Sequence, residues 1–213
     1  RSDELFDYFG APTGGHCPQA LVSALYNVLS GKTHDVTMAP QDGSERDEAM
    51  KLLSRIEPGD VLVADRGYPS FDLIHALVKR KIHFVLRTPK ANTFKEVEQF
   101  VASRKKFGHV TIRPPVGHDQ AKKPIRVRIA VFREFGKDPL VLITDLEKAE
   151  LTRTDLARSY KLRWKVEELY GLVQGPCLDQ KQFHSRKPEG IEQEILALAL
   201  FVNLVRTVST LAA

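Results

Sequence analysis

Asp65 follows the apolar run Val61-Leu62-Val63-Ala64 and opens the turn Arg66-Gly67-Tyr68. Such a run reads as a strand buried on both faces. Open α/β sheets collect their sites at the carboxyl ends of strands, where a projecting carboxylate suits a hard divalent cation such as Mg²⁺. The alternative is local, because an aspartate in this turn can also satisfy backbone N–H groups near Arg66 and Gly67. The second acidic position is Glu167, within Tyr160-Lys161-Leu162-Arg163-Trp164-Lys165-Val166-Glu167-Glu168-Leu169-Tyr170. At about 100° per residue, Arg163, Gln174 and Glu167 fall near ~300°, ~320° and ~340° from Tyr160. A single helical stripe about 60° wide would then carry a phenol, a guanidinium, an amide and a carboxylate. Leu162, Val166 and Leu169 occupy another face and can pack into a core. A polar stripe is also what the wet side of any amphipathic helix looks like. Tyr160 and Trp164, the only tryptophan of the chain, are unusual choices for a side that is merely wet.

The elements that would position these residues follow from periodicity. Residues 20–28 and 33–38 read as two strands around the Ser30-Gly31-Lys32 turn, a hairpin. Ala49, Leu52, Leu53 and Ile56 repeat at helical spacing after Ser44, a plausible N-cap. The Val61–Ala64 strand follows, then a helix marked by Phe71, Ile74, Leu77 and Val78, then the strand His83–Arg87. This alternation predicts an α/β core. From Thr88 to Asp145 the pattern changes to a short helix near Phe94–Ala102 and strands at 110–113, 125–132 and 140–144, separated by Pro- and Gly-rich segments. Thr152 or Thr154 then caps a helix predicted to run to about Gly171. A last helix spans roughly Gly190 to Ser209, with Ile191, Ile195, Leu198, Phe201, Val202 and Val205 as its apolar stripe. The opening residues read as an acidic, loop-like stretch.

Composition bounds the function classes. The chain has 213 residues, 42% hydrophobic and 28% charged, an ordinary globular balance with room for a buried core. No stretch of 18 uninterrupted apolar residues predicts a membrane span, and no signal-peptide pattern opens it. The two cysteines, Cys17 and Cys177, lie far apart without a CxxC, which excludes a cysteine-based zinc site. The cytosol is the expected compartment. The net charge of +5 is mild, but residues 79–128 hold 14 Lys/Arg against 3 Asp/Glu, while residues 1–78 are acidic. A basic block of that density reads as a polyanion-binding surface, the alternative being a solvated surface without a partner. Lys105, Lys106, Lys122 and Lys123 belong to it. So do Arg126 and Arg128, whose alternation with Val127 and Ile129 places them on one face of a strand.

In this order, the residues resemble the DDE transposases of bacterial insertion sequences, in the subgroup with a β-rich insertion and a Tyr-x2-Arg-x3-Glu-x6-Lys signature. Tyr160, Arg163 and Glu167 match that signature, and Val-Leu-Val-Ala-Asp-Arg-Gly-Tyr matches the block around the family's second Asp. Phe84-Val85-Leu86-Arg87 and Phe183-His184-Ser185-Arg186 also match, so the resemblance spans nearly the whole chain. It implies a ribonuclease-H-like α/β fold: a mixed sheet flanked by helices, with residues 1–87 and 146–213 as the core and 88–145 as a basic, β-rich insertion before the catalytic Glu helix. It also implies two Mg²⁺ or Mn²⁺ ions for in-line phosphoryl transfer, with Asp65 as the second and Glu167 as the third carboxylate. Tyr160 and Arg163 would contact phosphates of a transposon end, a task that suits the planar guanidinium fork. Gln174 stands where the family has Lys; it can hydrogen-bond a phosphate but brings no charge. Trp164 is expected in the core, with stacking on a base as the alternative.

The implied partners are transposon-end and target DNA and a second copy in a synaptic complex, with no membrane. The implied setting is the bacterial cytosol at the nucleoid. The first catalytic Asp should end a strand shortly before the segment that opens here, and neither Asp3 nor Asp7 fits that description. The chain is therefore expected to begin after it and to be a fragment. Two other readings stay open: a DNA-binding remnant that has lost its chemistry, and a metal-dependent nuclease of the same fold superfamily, which would not need Tyr160 and Arg163.

Overall fold

The computed structural model describes residues 3–115, 117, 122–134, 138–172 and 183–212. In chain order the elements are α1 (Asp3–Phe9), β1 (Ala20–Asn27), β2 (Lys32–Pro40), α2 (Glu45–Leu52) with a 3₁₀ turn at Leu53–Arg55, β3 (Val61–Ala64), α3 (Phe71–Arg80), β4 (His83–Thr88), α4 (Lys95–Ala102), β5 (Phe107–Ile112), β6 (Ile125–Phe132), β7 (Leu140–Thr144), α5 (Arg153–Lys161), α6 (Trp164–Leu172) and α7 (Pro188–Leu211). The fold is mixed α/β, with a five-stranded mixed sheet flanked by helices. The chain divides into two compact units, one made of Ile56–Arg163 and one of Arg1–Arg55 with Trp164–Ala213.

The unit Ile56–Arg163 holds the sheet, in the order β3-β4-β7-β6-β5. The β3–β4 pair is parallel and the other three pairs are antiparallel. Strands β5, β6 and β7, all from the segment 88–145, are hydrogen-bonded into the same sheet as β3 and β4. Ile129, Val131, Leu142 and Ile143 are solvent-excluded at its centre. Helix α5 lays Leu156 and Tyr160 against Val85, Ala130, Phe132 and Leu142. The expected double burial of Val61–Ala64 gives way to an edge position. With a neighbour on one side only, β3 leaves Val61 47% exposed and buries Ala64.

In the other unit, β1 and β2 form the expected antiparallel hairpin. Gly31 takes φ +71 in its turn, and a Cβ there would meet the Arg206 guanidinium. Ser44 caps α2 by accepting the Asp47 amide. The opening residues form α1 rather than a loop, because Leu5 and Phe9 sit on one helical face and pack on Ile191 of α7. Helix α7 has 24 residues and is long and apolar enough to cross a membrane by length and composition alone. It is nevertheless hydrogen-bonded to the hairpin. The Asn203 side-chain amide donates to the Thr33 carbonyl and accepts from the Thr33 amide, both at 2.8 Å. Its expected apolar stripe is buried only at Ile191 and Val202, while Phe201 and Val205 are exposed.

Candidate active site

Asp65 is the residue after Ala64, at the carboxyl end of β3. The parallel register pairs Ala64 with Leu86, so the next residues, Asp65 and Arg87, come out side by side. The Arg87 Nη1 lies 3.4 Å from Asp65 Oδ1. The same oxygen accepts the Arg66 backbone N–H at 2.7 Å and the Tyr160 hydroxyl at 3.0 Å. The second oxygen, Oδ2, faces Arg163 Nη2 at 3.7 Å. Tyr160 reaches the site because Thr152 caps α5, accepting the Asp155 amide, and Leu156 and Tyr160, one turn apart, lie on the buried face. The Arg163 guanidinium lies 5.7 Å from the Tyr160 ring centroid, a cation–π distance.

The electrostatics follow from this cage. Burial pushes the Asp65 carboxyl up, but the Arg66 amide, the Tyr160 hydroxyl and the Arg163 and Arg87 guanidiniums outweigh it and hold the group below its ordinary value. Burial pushes the Tyr160 phenol up, and the Asp65 carboxylate adds to the rise against the opposing arginines. Replacing Tyr160 by Phe is therefore expected to let Asp65 titrate nearer the ordinary aspartate value of about 3.9. Because the folded-state value is depressed, the carboxylate's contribution to stability is present above the unfolded value and lost as pH falls through the folded one. That loss should be smaller, and complete at higher pH, in Tyr160→Phe. A ¹³C carboxyl titration checks this, and an unchanged midpoint would assign the depression to the amide and guanidiniums alone.

The helix expected to run from Thr152 to about Gly171 is interrupted. Leu162 and Arg163 form i→i−3 bonds to Ser159 and Tyr160, and the chain restarts as α6 at Trp164. The common stripe assumed one continuous helix, so its arithmetic ends at this turn. Tyr160 and Arg163 join Asp65 in one unit, and Glu167 belongs to the other. Glu167 is exposed in the first turn of α6, where a carboxylate complements the helix dipole. Leu169 is buried, and the Lys165 ammonium donates to the Val28 carbonyl at 2.9 Å, which fixes α6 on the hairpin. Trp164 is 59% exposed rather than in the core. Gln174 lies outside the described residues.

The basic block is spread unevenly. Lys105, Lys106, Lys123 and Arg126 are exposed around the β5–β6 pair. Lys122 is held by Asp72 at 2.6 Å. Arg128 is 9% exposed and donates to the Leu151 carbonyl at 2.6 Å, so its charge is directed into the domain. Arg87 is the site residue that sequence reasoning passed over. Its signal was the pair of apolar strands ending in residues of opposite charge, Ala64-Asp65 and Leu86-Arg87.

As placed, Asp65 does not fit a divalent cation, since both oxygens face hydrogen-bond donors or guanidiniums. Among the described residues no three His, Cys, Asp or Glu side chains are gathered to hold a metal ion. The arrangement is instead a carboxylate surrounded by groups suited to phosphate. The sequence profile of the family described as Transposase DDE domain matches residues 5–204. No curated protein matches the chain at a significant level.

Proposed function

The chain belongs to the transposase DDE-domain family, and from that premise we propose that it is the catalytic region of an insertion-sequence transposase, cutting and joining DNA strands at element ends. The observation that supports this most directly is the Asp65 cage: a carboxylate at a strand end with Arg87, Arg163 and Tyr160 converging on it. In this reading Asp65 and Glu167 are two of the carboxylate ligands of Mg²⁺ or Mn²⁺. Tyr160, Arg163 and Gln174 contact end DNA, and the basic residues of segment 88–145 hold the flanking duplex. A homodimer would pair two ends, and the setting would be the bacterial cytoplasm at the nucleoid. A non-catalytic DNA-binding remnant is the second reading, favoured by the absence of a three-ligand cluster among the described residues.

A cellular excision assay separates the two. A marker flanked by the element's own ends should be lost from a donor plasmid when a protein carrying this domain is expressed. Glu167→Ala should reduce that loss to background. A protein that binds the ends and never excises would establish the remnant.

A further inference from the structure

Asp65 faces two arginines, a phenol and an amide, enough donors to occupy both of its oxygens. Arg87 and Arg163 come from different elements, β4 and the turn after α5, and they approach opposite oxygens of the same carboxylate. The Arg163 side chain is only 14% exposed and that of Arg87 28%, so both charges are held at Asp65 rather than free in solvent. Arg87 and Arg66 also stand close enough to Asp138 to help hold its carboxyl below the ordinary value, after its main partner Lys90. Cations therefore dominate the surroundings of the carboxylate, and a dication approaching Asp65 meets like charge and oxygens already donated to. A phosphodiester is the anion that matches two guanidinium forks, because its non-bridging oxygens accept bidentately.

We propose that Arg87 and Arg163 keep Asp65 closed until a DNA phosphate takes over their guanidiniums, so that nucleic acid must dock before a divalent cation can be coordinated. This rests on the transposase reading and adds to it an order of assembly. One set of side chains serves two anions in turn: the carboxylate when DNA is absent and the phosphate when it is present. Reciprocity then requires that removing the carboxylate strengthen DNA binding through the same arginines.

The test measures duplex binding by fluorescence anisotropy in EDTA. Asp65→Asn should tighten binding about tenfold, and the gain should fall below about twofold when Arg87→Gln and Arg163→Gln are present, the coupling expected of groups in direct contact. Asp65→Ser carries the same expectation should the Asn variant fold poorly. In parallel, electron paramagnetic resonance of free Mn²⁺ reads metal uptake without DNA. Arg87→Gln with Arg163→Gln should raise uptake over the unaltered chain, and adding Asp65→Asn should remove the increase. A gain in DNA affinity that survives loss of both arginines would reflect general charge repulsion and overturn the proposal. So would Mn²⁺ uptake by the unaltered chain equal to that of the double variant. If the unaltered chain fails to bind duplex DNA at all, the transposase reading itself falls. Duplex binding without an arginine-dependent gain sinks only the order of assembly.

Discussion

Neutralising Lys105, Lys106, Lys123 and Arg126 together is expected to reduce the salt dependence of duplex binding by about 3–4 units of log–log slope. Each cation placed on a phosphate releases about 0.9 counterion. Four lost contacts amount to roughly a hundredfold less change in affinity between low and moderate salt. The geometry supports treating the four as phosphate contacts. Strand β5 is an edge strand of six residues, about 20 Å long at ~3.4 Å per residue. Lys105 and Lys106 precede its first residue, and Arg126 pairs with Thr111 near its last. All four side chains are exposed, and positive charge at both ends of an exposed edge can track a backbone. Lys122 supplies the contrast, since its ammonium is already paired with Asp72. Lys122→Gln should leave the slope within about half a unit. An unchanged slope in the fourfold variant would mean that the basic block is only a solvated surface.

This contrast marks where sequence reading stops. Local chemistry was legible. The Gly31 turn produced a hairpin, Ser44 and Thr152 became caps with their oxygens on backbone amides, and the apolar run at 140–144 became β7. Asp65 stood at a strand end as expected because the change from apolar run to turn is itself local. What depends on partners distant in sequence was not legible. Alternation put Arg126 and Arg128 on one face, but where that face is covered depends on the segment around Leu151 and Glu147, so only Arg126 stays outside. Burial pushes the Arg128 guanidinium below its ordinary pKa, and the nearby Glu147 and Glu150 carboxylates oppose that. The break at Leu162-Arg163 carries no Pro or Gly, so no breaker announces it. That break matters to the site, because it spoils an angular argument valid for one helix only. Arg87 was hidden for a related reason: the β3–β4 register is a tertiary fact, and only that register sets it beside Asp65.

The 213-residue chain is expected to bind duplex DNA and leave it intact in Mg²⁺, because the described residues bring no third carboxylate to Asp65 or Glu167. Two divalent ions about 3.5–4 Å apart repel each other and need shared anionic ligands to stay in line with a scissile phosphate. Asp65 offers one carboxylate already engaged by Tyr160 and two arginines, Glu167 offers a second on α6, and the described residues gather no third around either. In an active protein that carries this domain, nicking should require Mg²⁺ or Mn²⁺. There, Asp65→Ala or Glu167→Ala should each remove it, and neither should weaken DNA binding, because the exposed cations of β5 and β6 lie on other elements. Gel analysis of supercoiled plasmid and end-labelled duplex reads both outcomes. Robust Mg²⁺-dependent nicking by the 213-residue chain, lost on Glu167→Ala, would mean that a third ligand exists within it. Asp3 and Asp7, both in α1, would then be the first residues to replace.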